Sequence, residues 1–258
     1  MKNMNEKIAF LSDLDNTLIY SHKRDIGEKK ITAEIYNEKI VSYMTEKTYT
    51  LLDKARNEVC FIPVSTRSVQ QYNRITFNKS WSPKTAVVSN GGTLLVDGKE
   101  DKVWKNESLK LISECMPELE KASKLLEKDL NRTLDVRLVD GLFVFTKSSD
   151  SEKTMKILAE NIDKSIVNIF TNGIKIYAVP KILNKGTAVE RIKERFGFEE
   201  VIAAGDSDFD IPMLNNADMS FYPSNMKEMV SGGIAVPDER LMSEYILEYV
   251  LDYIKKHI

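Results

Sequence analysis

The sequence predicts an α/β fold: a parallel-sheet core drawn from both ends of the chain, with an α+β module inserted between. Short apolar runs bounded by turn residues alternate with longer periodic segments near both ends. In the middle, Asp140-Gly141 and Asn172-Gly173 are two-residue hairpin signals with a helical stretch between them. The length of 258 residues, 42% of them hydrophobic, exceeds the roughly 100–200 residues of an ordinary domain.

The first buried strand expected is Ile8–Ser12. Residues 30–43 have strand-like stretches on either side of Asn37-Glu38-Lys39 and read as a small hairpin, close enough to flap over the end of that first strand. Thr45 is a suitable N-cap for a helix running to Asn57. Further buried strands are expected at 59–64, 86–89 and 201–204, with weaker ones at 219–222 and 233–236. A helical segment over 109–130 is interrupted or restarted at Pro117. Strands at 134–139 and 142–146, a helix at 151–162, and strands at 166–170 and 174–179 complete an α-β-β-α-β-β order, the sign of an antiparallel sheet with helices on one face. In 186–196, Ala188, Ile192 and Phe196 fall four apart on one helical face. The last helix begins near Arg240 and ends in Lys255, Lys256 and His257, which suit the negative end of its dipole. The core therefore comprises 1–91 and 181–258, and the inserted module 92–180.

Composition narrows the function. Lys and Arg number 37 against 39 Asp and Glu, a formal charge of −2, so there is no basic excess to suggest a nucleic-acid partner. Cys60 and Cys115 form no CxxC pair, and with His22 and His257 they are too few for a His/Cys zinc site or a disulfide scaffold. The opening MKNMNEKIAFLSDLDNT has too short an apolar run for a signal peptide, and no stretch approaches the roughly 18 apolar residues of a membrane span. The expectation is a soluble protein of a reducing cytoplasm, with no membrane partner.

Four short segments could carry chemistry. Asp13-Leu14-Asp15-Asn16-Thr17 directly follows the first strand, and ligands of open α/β sheets gather at the carboxyl ends of strands. Two carboxylates so spaced can share a metal or divide nucleophilic and acid/base duties; the same residue types also make an ordinary capped turn. A calcium loop fails on register, since Leu18 and Arg24 stand where Gly and Glu are needed. Gly205-Asp206-Ser207-Asp208-Phe209-Asp210 follows the strand at 201–204. It fails the calcium test in the same way, with Ile211 and Ala217, and reads either as a solvated helix-capping loop or as half of a metal site. Two acid clusters at two strand ends repel each other unless a cation joins them, and hard oxygen donors select Mg2+. Ser65-Thr66-Arg67 follows the strand at 59–64 and suits either a phosphoryl-gripping turn or a helix N-cap. Asn184-Lys185-Gly186-Thr187 opens a helix; a lone Lys there is usually a surface charge, and no Walker loop is present.

Together these pieces resemble the haloacid dehalogenase-like superfamily of phosphohydrolases in order, residue type and strand placement. DLDNT fits the DxDxT signature, Ser65 the second motif, Lys185 the third, and GDSDFD the GDxxxD form of the fourth. The insert between motifs two and three looks like a type-two cap, similar to that of sucrose-phosphatase-like and Cof-type sugar phosphatases. Asn90-Gly91-Gly92 resembles the step before that cap. The chain departs from the subclass in having Ser65-Thr66-Arg67 for Thr-Gly-Arg, Phe209 for Asn, and a longer 30–43 hairpin.

The resemblance implies a Rossmann-like core and a Mg2+-dependent phosphatase acting on a small phosphate ester, a sugar or polyol phosphate. Asp13 is then the nucleophile, Asp15 the acid/base, and Ser65 and Lys185 hold phosphoryl oxygens. Asp13, the Asp15 carbonyl, Asp206 and Asp210 form the metal site, and Thr66, Arg67, Asn90 and Gly91 lie toward the substrate. A phosphomutase of the same superfamily, or a non-catalytic phospho-ligand sensor, are the competing readings. In the cap, Trp104, Arg137, Lys147 and Lys175 are either substrate-facing or structural.

Overall fold

The computed structural model describes residues 7–257. The chain divides into two compact units, one formed by residues up to 100 and from 185 onward, the other by residues 101–184.

The first stretch contains β1 (Ile8–Ser12), β2 (Tyr20–Ser21), β3 (Lys30–Tyr36), β4 (Lys39–Thr45), α1 (Glu46–Glu58), β5 (Cys60–Pro63), α2 (Val69–Tyr72), β6 (Thr85–Val88), β7 (Thr93–Val96) and β8 (Lys99–Glu100). The inserted unit carries α3 (Lys102–Leu111), α4 (Met116–Glu127), β9 (Arg137–Val139), β10 (Phe143–Lys147), α5 (Ser151–Asn161), β11 (Val167–Asn172) and β12 (Lys175–Pro180). The chain returns with α6 (Lys185–Phe196), β13 (Glu200–Ala204), α7 (Ile211–Asn216), β14 (Met219–Pro223), β15 (Ile234–Val236) and α8 (Met242–His257).

The first unit is built on a parallel sheet in the order β15-β14-β13-β1-β5. Every residue of β1 is buried, as a central strand covered on both faces requires. Phe10, Leu14, Ile202, Phe221 and Ile246 belong to one apolar cluster around it. Thr45 caps α1 as expected, its side chain accepting from the Thr48 N–H at 3.0 Å.

The hairpin expected at 30–43 is present and extends to Thr45. It turns at Asn37 (φ 49°) and Glu38 (φ 62°), both left-handed, which matches the twist of the flanking strands. β2 joins β4 to complete a three-stranded antiparallel sheet.

One expectation, the unit boundaries, needs correction. The strand expected at 86–89 is present as β6; it touches the parallel sheet through a single Val64–Val87 bridge and pairs antiparallel with β7 along its length. That pairing also ties residues 93–100 to the first unit, so the division falls after Glu100 rather than at 92. At the other end it falls after Asn184 rather than at 180.

The inserted unit has the α-β-β-α-β-β order, with α3 and α4 both ahead of the first strand. Its antiparallel sheet runs β11-β12-β10-β9. Pro117 sits in the first turn of α4, where its missing N–H costs no helical bond, so the helical segment restarts there. Asp140 and Gly141, with φ of 47° and 75°, form the β9–β10 turn. Leu119, Leu126, Val144, Leu158 and Ile176 are buried in this unit. Trp104 is also buried. Arg137 and Lys175 are exposed, and Lys147 is half-buried.

Candidate active site

Three adjacent parallel strands deliver the candidate residues to one end of the sheet. Ser12 of β1 is in register with Ala204 of β13 on one side and Pro63 of β5 on the other. Beyond them the Asp13 N–H donates to Ala204 O, and the Val64 N–H to Ser12 O, both at 2.8 Å. Asp13 thus stands between the loop that begins at Gly205 and the one that begins at Ser65. The sheet's parallel register, rather than any local motif, brings the two acid clusters together.

Lys185, the first residue of α6, has its side chain only 1% exposed. Its Nζ lies 2.5 Å from Asp13 Oδ1 and 2.5 Å from Asp210 Oδ1. Burial works against the ammonium, but the two carboxylates outweigh it and push its pKa up, so the charge is retained. The helix start that places Lys185 lies tight against α7. A Cβ on Gly186 would fall 2.7 Å from both Cβ and O of Pro212.

Asp210 holds its own loop together. Its Oδ2 accepts from the Asp206 N–H (3.0 Å), the Ser207 N–H (3.0 Å) and the Ser207 hydroxyl (2.8 Å). Gly205 is required by the same arrangement: a Cβ there would meet Asp210 Cβ at 2.3 Å. Across the site, the Thr17 hydroxyl donates to Asp206 Oδ1 at 3.4 Å, and the Asn16 side chain also hydrogen-bonds Asp206.

Asp13, Asp206 and Asp210 each offer a carboxylate oxygen within 4.8 Å of the others. Burial, followed by the charge of Asp210, pushes Asp206 up to about 7. Burial also drives Asp13 well above the carboxylate range; Lys185 opposes the shift, while Asp210, Asp206 and Asp15 add to it. Such a set of hard oxygen donors, too crowded to be comfortably anionic, fits a divalent cation such as Mg2+.

The second-motif turn is built from the backbone. Ser65 is buried, its N–H donates to Val87 O at 2.9 Å, and its hydroxyl accepts from the Arg67 N–H at 3.2 Å. Thr66 is half-buried. Asn90, with φ 58°, is buried and donates its N–H to Ser65 O at 3.0 Å, while Gly91 follows at φ 100°. Three successive left-handed residues, Ser89, Asn90 and Gly91, therefore form a turn bonded to the Ser65 turn. Arg67, expected toward the substrate, grips Asp15: its Nε and Nη2 donate to Oδ2 and Oδ1 at 2.7 and 2.8 Å. A capping box between Ser68 and Gln71 starts α2 immediately after it.

Sequence reasoning did not single out Glu34, which is buried and meets both Arg67 and Arg74. Asn16, Thr17 and Ser207 lie inside motifs already quoted, and their side chains fasten Asp206 and Asp210.

The chain resembles several known proteins. A phosphoglycolate phosphatase from Methanopyrus kandleri is 26% identical over 152 residues, a stretch spanning 56% of this chain and 61% of that protein. The sucrose-phosphatase of Synechocystis sp., solved with sucrose and phosphate, has the same fold at a TM-score of 0.66 and 14% identity, covering 96% of this chain and 98% of that one. The C-terminal domain of C. albicans trehalose-6-phosphate phosphatase gives a TM-score of 0.60 at 15% identity, covering 97% and 93%. The family model for haloacid dehalogenase-like hydrolases matches residues 91–231, more than half of the chain, taking in Lys185, Asp206 and Asp210 while Asp13 lies before it. The chain belongs to the haloacid dehalogenase-like hydrolase family.

Proposed function

We propose that this protein is a Mg2+-dependent phosphatase that hydrolyses a small phosphate monoester, of the sugar or polyol phosphate class, through an aspartyl-phosphate on Asp13. The observation that carries this reading is the position of Lys185 Nζ, 2.5 Å from both Asp13 and Asp210 at the end of the central strand. A buried carboxylate paired in this way can meet an anionic phosphate without unopposed repulsion. The phosphoglycolate phosphatase relative, itself named for a small phosphate monoester, supports the substrate class. The resemblance noted in the sequence supplies the narrower sugar or polyol choice.

Asp13 attacks phosphorus, and Asp15 gives a proton to the departing alcohol oxygen. Asp15 then takes a proton from the water that hydrolyses the aspartyl-phosphate, so one difficult displacement becomes two easier ones. Two of the three Lys185 donors lie on Asp13 and Asp210, leaving one for a phosphoryl oxygen. The Ser65 hydroxyl offers another contact. Asp13, the Asp15 carbonyl and Asp206 would hold Mg2+, with Asp210 fixing their loop. When bound, the ion supplies charge neutralisation for the transferring phosphoryl group. The inserted unit is the substrate-selecting cap.

The test is turnover of p-nitrophenyl phosphate with Mg2+ and with a chelator, for the wild type and for Asp13→Asn. The reading expects Mg2+-dependent release of inorganic phosphate that is lost in Asp13→Asn while the circular dichroism spectrum is unchanged. Near-normal activity in the variant removes Asp13 as nucleophile. An isomeric phosphate ester in place of free phosphate, from a phosphorylated sugar, would mark a mutase.

A further inference from the structure

Glu34 is a fully buried carboxylate that the proposed chemistry does not use. It lies on β3 where the pairing with β4 slips, between Thr32 and Glu34 and again between Glu34 and Ile35. The irregularity turns two consecutive residues, Ala33 and Glu34, inward where regular alternation would bury only one. The segment is pinned there, because Glu34 bridges Ile75 and the Thr76 N–H donates to Ala33 O at 2.8 Å.

Inside, Glu34 stands between two arginines. Oε2 is 2.8 Å from Arg67 Nη1, and Oε1 is 2.9 Å from Arg74 Nε; both are ion pairs rather than aligned hydrogen bonds. Arg74 in turn lies over the Tyr36 ring, 4.3 Å from its centroid. The remaining edge of the Arg67 guanidinium holds both oxygens of Asp15. Charges therefore alternate along a chain from Asp15 through Arg67 and Glu34 to Arg74. An apolar side chain would fill the Glu34 position at lower desolvation cost, so the carboxylate calls for a role beyond packing. Asp15, with its side chain 52% exposed, cannot by itself immobilise a long flexible arginine. Glu34, together with the Gln71 carbonyl that accepts from Arg67 Nη1 at 3.4 Å, supplies the fixed end.

We propose that Glu34 is a positioning residue for Asp15, acting through Arg67, so that the β3–β4 hairpin sets where the acid/base carboxylate stands. This rests on the reading of Asp15 given above. Arg67 accordingly belongs to the catalytic apparatus as the piece that aims Asp15.

The experiment uses the full chain with Mg2+ and two probes of similar shape, phenyl phosphate and p-nitrophenyl phosphate. The phenyl leaving group depends more on a well-placed proton donor than the nitrophenyl group does. In Glu34→Gln, kcat/KM for phenyl phosphate should fall roughly tenfold or more, and that for p-nitrophenyl phosphate by less than about threefold. In an Asp15→Asn background, adding Glu34→Gln should leave the ratio of the two unchanged within about twofold, since residues acting through one another are not additive. Equal losses on both esters, or a further drop of the ratio in the double variant, would overturn the proposal. If Glu34→Gln fails to fold, Glu34→Asp keeps the charge between the arginines but draws the carboxylate back, and the same two readouts decide. A wild type inactive on both esters sinks the phosphatase reading and this proposal with it. An active wild type with an unchanged ratio in the Glu34 variants sinks this proposal alone.

Discussion

Lys185 Nζ stands 2.5 Å from Asp13 Oδ1 with both side chains withdrawn from water. The pair joins the end of β1 to the start of α6, two elements far apart in the chain. It couples folding to the site, because neither charge is tolerable there without the other.

Removing the cation should therefore damage both stability and activity. Breaking one side of a buried ion pair typically costs about 3–5 kcal/mol. Lys185→Met should lower the unfolding free energy measured in urea by an amount in that range, with a lower midpoint, and reduce p-nitrophenyl phosphate turnover by roughly 100- to 1,000-fold. An unchanged midpoint would mean that Asp13 and Asp210 have other partners.

The pH dependence of the metal-free protein has a definite sign. Folded Asp206 keeps its proton to about pH 7, whereas the unfolded chain releases it near the ordinary 3.8. Between those values the folded state binds more protons, so stability falls as pH rises through the window and levels off above it. Burial pushes Asp13 in the same direction. Thermal unfolding in a chelator should show Tm declining from about pH 4 to about pH 7, with a shallower slope in Asp206→Asn. Added Mg2+ should raise Tm most at the upper end. A Tm that climbs through this window would contradict the assignment of a strained acid cluster.

Gly205→Ala should be costly although the residue makes no side-chain contact. The new methyl would overlap Asp210, only 2.3 Å away, and displace the carboxylate that both organises the 206–207 backbone and meets Lys185. Overpacking of this kind costs about 1–3 kcal/mol. Equilibrium unfolding should register that loss together with a fall in turnover.

The hairpin offers a change of opposite sign. Glu38 adopts φ 62°, a left-handed conformation that costs a non-glycine residue about 1–2 kcal/mol. Glu38→Gly should stabilise the protein by about 0.5–1 kcal/mol, after allowance for the added freedom of the unfolded chain. Activity should not change, since the position is at the exposed tip.

Much of this was legible in the sequence because apolar strands and the acids after them are both strong local signals. Asp13 and Asp206 announce themselves as carboxylates immediately beyond buried runs, and Asp140-Gly141 marks its turn through conformations few residues accept. What stayed hidden depends on non-local register. Glu34 sits in a segment that reads as a half-solvated strand, and only the irregular pairing with β4 turns it inward. Arg67 was expected toward the substrate, and nothing nearby in sequence reveals that Asp15 and Glu34 flank it. The strand at 86–89 had the apolar character of a central strand, and its antiparallel partner β7 drew it away from the parallel sheet.

The central claim is that Asp13 becomes phosphorylated. A reaction of the full chain with Mg2+ and p-nitrophenyl phosphate, quenched with acid and treated with borohydride, tests it by peptide mass spectrometry. An aspartyl-phosphate is reduced to homoserine, so the account predicts that conversion at Asp13, dependent on substrate and on Mg2+. Steady turnover with Asp13 left intact, or conversion at another carboxylate, would contradict it.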